Sequence, residues 1–181
     1  MNKKLLVGLA TGLFLVGIAG VASATLLFED DFESGLTNWN ETHGQIVTES
    51  NGNKALSFSS TYSAGDAFTM SSFIDVVVPG TFTLEFDYFS PVGSSTNGGG
   101  FVGIDPDGIR NNGTHTWLLG TNNYPGVTNL PISNGNWVAV SHTFSTNYSQ
   151  IHLMIEDFRA PAGDALFDNL GRGAMLQGCC N

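Results

Sequence analysis

Carboxylates crowd together at one place in this chain. Glu29, Asp30, Asp31 and Glu33 fall within five positions of "LLFEDDFESGLTNW", hemmed by Phe28, Phe32 and Trp39. Like charges this close repel unless a cation sits among them or the backbone turns them apart. Alternation along a strand would put Glu29, Asp31 and Glu33 on one face and Asp30 on the other. The same residues could instead form a solvated edge that deters sheet-to-sheet pairing. A second acidic pair, Glu85 and Asp87 of "LEFDYF", shares one strand face. Two carboxyls about 5 Å apart are what a retaining glycosidase needs. The outer polar face of a half-buried strand is the plainer reading.

A third set could recognise a sugar. "RNNGTHTWLLGTNNYPG" (110–126) supplies Trp117 and Tyr124 as rings for the apolar face of a pyranose. Around them Arg110, His115, Asn122 and Asn123 are positioned to bond its hydroxyls. Trp117 stands between platform and core, because Leu118 and Leu119 follow it and can make a strand. Other chemistry is weakly represented. His142 and His152 could face each other on neighbouring strands, but a pair alone is a poor metal site. "IDPDGIRNNG" offers Asp105, Asp107 and Asn111 without the terminal Glu or spacing of a helix-loop-helix calcium site, and a Pro-Asp-Gly turn explains it better. There is no Gly-x-Ser-x-Gly elbow and no phosphate-cradling loop.

Residues 1–24 read as a cleaved secretory signal. Lys3 and Lys4 precede an apolar run from Leu5 to Val21, and Ala22-Ser23-Ala24 supplies the small residues of a cleavage site. The apolar run approaches the length of a membrane span, and the Ala-Ser-Ala ending decides for cleavage. Without Lys3 and Lys4, four basic residues face sixteen acidic ones, a formal net charge of −12. Such a surface disfavours nucleic acid and anionic lipid as partners. Cys179 and Cys180 are neighbours near the end and close no loop, so the fold must stand on its core. They could link chains, although an incidental tail is the plainer reading.

The mature chain has a period of two. "TFTLEFDYF" sends Phe82, Leu84, Phe86 and Tyr88 one way and Thr83, Glu85 and Asp87 the other. "KALSFSS", "WVAVSHTFS", "QIHLMIEDF" and "DALFDNL" alternate similarly, and "SSFIDVVV" reads as one more strand ended by Pro79-Gly80. Clusters of Gly, Asn, Ser and Pro separate these runs. No window has a 3.6 period. The fold class expected is all-β: one antiparallel two-sheet sandwich over 25–173, then a short tail, 174–181.

"FEDDFESGLTNW", "NKALSF", "NWVAVSHTFS", "IHLMIED" and "ALFDNL" together resemble the jelly-roll domain of carbohydrate-binding modules and galactose-binding-like proteins. The leader resembles that of bacterial exported proteins carrying the PEP-CTERM sorting tag. This chain ends "DNLGRGAMLQGCCN", without the Pro-Glu-Pro motif, apolar helix and basic tail of that tag, which puts anchoring by that route in doubt. The resemblance implies a structural calcium where the first strand meets the last. Glu33 and Asp168 match its carboxylates, the Asn53 backbone a carbonyl donor, and Asp31 sits two residues before Glu33. It also implies that Trp39 and Trp137 belong to the core. The function expected is a secreted, non-catalytic binding module for extracellular polysaccharide or glycan. The alternatives are a structural matrix protein that self-associates and a glycosidase-like hydrolase.

Overall fold

A computed structural model describes residues 25–61, 67–76, 80–91, 99–109, 113–121, 124–158, 165–171 and 176–177. In chain order its strands are β1 (Thr25–Leu26), β2 (Trp39–Thr42), β3 (Gly44–Thr48), β4 (Lys54–Phe58), β5 (Ala67–Ser71), β6 (Ile74–Asp75) and β7 (Gly80–Phe89). There follow β8 (Gly100–Asp105), β9 (Thr116–Gly120), β10 (Thr128–Asn129), β11 (Trp137–Thr146), β12 (Gln150–Asp157), β13 (Leu166–Asp168) and β14 (Leu176–Gln177).

The period-2 segments form the sheets. β7 buries Phe82, Leu84, Phe86 and Tyr88 while Thr83, Glu85 and Asp87 point outward, as alternation requires. Its long edge pairs with β11 without a break, from Trp137 opposite Phe89 to Thr146 opposite Gly80. On its other side β13 and β14 follow one another, and β4 and β3 lie beyond β13. In the second sheet β12 is flanked by β8 on one side and by β5 and β6 on the other, with β9, β10 and β2 outside them. The expected two-sheet sandwich is therefore what the chain forms. Its pairings are antiparallel except the two-residue match of β10 with β9.

Between the sheets lie Phe58, Phe82, Leu84, Phe86, Tyr88, Val102, Ile104, Ile151, Leu153, Ile155 and Phe167. Each large side chain so buried contributes roughly 1.5–3 kcal/mol. The described residues therefore have a core that needs no disulfide. "SSFIDVVV" departs from the single strand expected of it. Ser71 ends β5, and its side-chain oxygen accepts the Leu153 N–H at 2.9 Å. The Nδ1–H of His152 donates to the Ser71 carbonyl at 2.6 Å. These side-chain bonds replace ladder bonds, and the chain leaves the sheet until β6. Residues 77–79 lie outside the described ones.

The acidic opening is a turn, so strand alternation does not apply to it. Asp30 Oδ1 accepts the N–H of Phe32 at 2.8 Å, and Phe32 adopts a left-handed φ of 56°. Phe32 is fully buried and its ring centroid lies 5.6 Å from that of Trp39. The turn sends Asp30 inward and leaves Asp31 and Glu33 exposed. Asp30 also pairs its N–H with the Leu170 carbonyl at 2.8 Å, joining the opening to the closing segment.

Gly171 locks that junction. Its φ is +79°, and a Cβ there would run into the Phe28 carbonyl and come within 2.9 Å of Glu29 Cα, both backbone atoms with no room to yield. Gly171→Ala combines left-handed strain with a backbone clash. It should cost about 3 kcal/mol of unfolding free energy, read from urea denaturation.

Candidate functional site

The central strands of the second sheet, β8 and β12, are buried on both faces, and the outer face carries the aromatic residues. On β12, Ile151, Leu153 and Ile155 enter the core, so His152, Met154 and Glu156 face outward; all three are nevertheless buried. On β8, Phe101, Gly103 and Asp105 share that outer face, opposite Glu156, Met154 and His152 in turn. Met154 packs with Met70 and Phe68 of β5 in a cluster separate from the core, and Trp117 of β9 rests on it.

Glycine makes room for the rings. Gly103 lies opposite Trp117, and a Cβ there would meet the indole at 2.8 Å; Gly120 gives the same clearance to the ring of Phe101. Phe101 is then the hub of an aromatic group. Its ring centroid lies 5.4 Å from Trp117, 5.7 Å from Tyr124 and 5.4 Å from Phe158, each near edge-to-face. His115 meets Trp117 edge-on at 5.3 Å, and its Nδ1 is buried without a partner among the described residues. Tyr124 and Phe158 are 49% and 40% exposed, so the group opens to solvent.

Three of the six residues expected to bind a ligand thus come together: Trp117, Tyr124 and His115. Arg110, Asn122 and Asn123 lie outside the described residues. Trp117 is a half-buried platform on the outer face rather than a core residue. A bulge after Val102 sets Leu119 opposite Val102 and Trp117 opposite Gly103, so Leu118 and Leu119 both reach the core while the indole stays outside. Phe101 and Phe158 were not singled out from sequence. The one apolar residue on the outward positions of "QIHLMIED" is Met154, between His152 and Glu156, which is a weak signal for a covered outer face.

The acidic residues of the first sheet form a different place. Glu33, Asn53 and Asp168 meet there. Asn53 Nδ2 donates to Asp168 Oδ2 at 2.9 Å, and the next residue, Lys54, donates its N–H to Glu33 Oε1 at 2.9 Å. Asn169 adds its own N–H to Asp168 Oδ1 at 2.6 Å and bonds Asp87 through its amide at 2.8 Å. Asp31 stays apart: its Oδ1 accepts the N–H of Glu33 at 3.1 Å, closing a local turn. Among the described residues no three His, Cys, Asp or Glu side chains converge to hold a metal by themselves. Calcium there would need further oxygens, and the Asn53 carbonyl expected to supply one accepts the Glu49 N–H at 2.8 Å.

Other expectations resolve simply. Glu85 and Asp87 line a shallow groove of about 230 Å³ with Ala139, Ser141 and Asn169. Ser141 donates to Glu85 at 3.2 Å. His142 and His152 do not face each other: β11 and β12 belong to different sheets, and Leu84 and Asp105 stand opposite them. Trp137 is not in the core; it stacks near Phe89 on the outer face and donates its Nε1–H to Glu49 at 3.1 Å. Trp39 is buried as expected. Asp105 Oδ1 accepts the N–H groups of Asp107 and Gly108, which is the Pro-Asp-Gly turn. Cys179 and Cys180 lie outside the described residues.

No protein-family model matches the chain, and no curated protein matches it in sequence. Solved structures do. The CBM22-1 xylan-binding domain of Paenibacillus barcinonensis Xyn10C is 17% identical over 88% of this chain and 99% of that one, with a TM-score of 0.55. The CBM22-1–CBM22-2 tandem of the same protein matches at 16%, covering 90% of this chain and 49% of that one, TM-score 0.56. The K1 cleaved adhesin domain of Lys-gingipain from Porphyromonas gingivalis W83 matches at 13%, over 87% and 100%, TM-score 0.52. At these identities the likeness is one of fold: the chain has the β-sandwich seen in carbohydrate-binding modules and cleaved adhesin domains.

Burial pushes the carboxyl of Asp168 above the usual aspartate range; Asn53 and Asn169 oppose this, and the charges of Asp87 and Glu33 add to it. A raised folded-state pKa means that the stability it contributes is present at low pH and lost as pH rises through the raised value. In the absence of divalent ions, the stability of Asp168→Asn relative to the parent should therefore rise from pH 4 to pH 7. Thermal melts across that range check it.

Proposed function

We propose that the protein is a secreted, non-catalytic module that binds an extracellular polysaccharide or glycan on the outer face of the second sheet. The observation that carries this reading is the Phe101 group, where Trp117, Tyr124 and Phe158 stand over the buried central strands of the sheet. Rings held this way offer stacking surface with little ordering cost on binding. His115 lies beside them, edge-on to Trp117. Arg110, Asn122 and Asn123 belong to the same reading, on sequence grounds. The solved structures named as a xylan-binding domain and an adhesin domain share the fold and so support it. The 1–24 segment supports export, and a formal net charge of −10 supports a neutral rather than an anionic glycan.

The Glu85 and Asp87 pair does not favour hydrolysis. Both carboxylates are taken up in hydrogen bonds to Ser141 and Asn169 on an open face, with the aromatic surface on the other sheet.

Pull-down on insoluble xylan, cellulose and β-1,3-glucan, followed by titration with the soluble oligosaccharide of whichever binds, tests the reading. Trp117→Ala should weaken binding at least about tenfold, equivalent to ~1.4 kcal/mol, and Tyr124→Ala by several-fold. Binding to none of a broad glycan panel, or full binding by the double variant, removes it.

The same reading includes a structural calcium held by Glu33, Asn53 and Asp168, without Asp31, which closes its own turn. Their meeting at the junction of opening and closing segments supports it. Millimolar calcium should raise the melting temperature of the parent by several degrees and leave Asp168→Asn unchanged, since a ligand bound only by the folded state stabilises by mass action. An unchanged parent melt would exclude the ion.

A further inference from the structure

The edges of the two sheets are unequal. β2, β3 and β10 are edge strands of four, five and two residues. β11 is ten residues long, and among the described residues no strand pairs with its side facing away from β7. Its register with β7 runs unbroken over all ten positions, so no bulge twists it away. An edge of this length leaves about five N–H and five C=O groups pointing outward. Edge strands are ordinarily guarded by a charge, a proline or a bulge. "WVAVSHTFST" has none of these. Its one titratable side chain is His142, whose pKa burial lowers, so the strand carries no charge at neutral pH.

We propose that β11 pairs antiparallel with β11 of a second copy of this chain, joining the two first sheets edge to edge across a twofold axis near Ser141. The strand is complementary to itself in that arrangement. On the outer face Ala139 meets Thr143 of the second copy and Trp137 meets Ser145, all small or uncharged against one another. On the core side Val140 meets His142 and Val138 meets Phe144. Two copies that each carry a formal net charge of −10 repel at most approaches. This ten-residue stretch is a long side on which they can meet without placing like charges opposite one another. Ala139 and Thr143 are exposed, so changing them disturbs the interface and not the core. The contact uses the first sheet only and leaves the aromatic face of the second free, so it stands independently of glycan binding.

Sedimentation velocity of the full chain over a concentration series, with reductant present to silence Cys179 and Cys180, is the test. The parent should reach twice the monomer mass. Ala139→Lys/Thr143→Lys should be monomeric with a melting temperature no lower than the parent's, and Ala139→Glu/Thr143→Glu should be monomeric with a somewhat lower one, because position 139 lies directly opposite Asp87. An equal mixture of the two should recover the doubled mass, because the pairing then sets Lys against Glu at both outer positions. A parent that stays monomeric at all concentrations, or a lysine variant that dimerises as tightly as the parent, overturns the proposal.

Discussion

The buried carboxylate of Asp30 is the interaction on which the rest of the sandwich is hung. It accepts the Phe32 N–H at 2.8 Å, the indole N–H of Trp39 at 2.9 Å and the Asn38 amide at 3.3 Å, while its own backbone bonds Leu170. A buried charge is tolerable only when its oxygens are filled in this way, and removing one donor would leave the remainder exposed to the full desolvation cost. Because those donors lie on the opening turn and at the start of β2, satisfying Asp30 fixes the turn, seats Phe32 and Trp39 in the core and presses Phe28 against Gly171. The acidic opening is thereby divided by function. One carboxylate is spent inside, and the others are left outside, where Glu33 reaches Lys54 beside the Asn53–Asp168 pair.

The second sheet owes its outer face to β12. This strand is flanked on both sides, and its outward residues His152, Met154 and Glu156 are all buried. Gly103 on β8 and Gly120 on β9 leave room there for the rings of Trp117 and Phe101. The aromatic group is accordingly built on strands, with only Tyr124 and Phe158 drawn from beyond strand ends. That division of labour, rigid strands below and a few ring edges above, is the geometry through which a flat, hydroxyl-rich ligand can be held without ordering a loop.

Sequence made β4, β7, β11 and β12 plain because half-buried strands enforce a period of two, and Phe82, Leu84, Phe86 and Tyr88 obey it. The period fails at Glu29 to Glu33, because that stretch turns at Phe32. Nothing in "FEDDFES" announces that Asp30 will cap the backbone of Phe32, since a non-glycine residue in the left-handed region carries no composition signal. Trp117 could not be assigned for a related reason. Its side depends on a bulge between Val102 and Gly103, set by pairing with a strand a dozen residues away. The Asn53–Asp168 contact spans 115 positions, and it was legible only through family resemblance. Ser71 is the subtlest case, because a serine that takes the place of a ladder bond looks in sequence like any strand residue.

The outermost pairing of the first sheet has a mechanical meaning. β1 and β14 run antiparallel, with Thr25 opposite Gln177 and Leu26 opposite Leu176. Tension applied through the two flanking stretches would therefore load a single rung at a time and peel the seam open, whereas strands drawn in opposite directions along their length would share the load across all rungs. The sandwich would yield first at this zipper under pull, while β7 and β11 kept their ten-rung ladder.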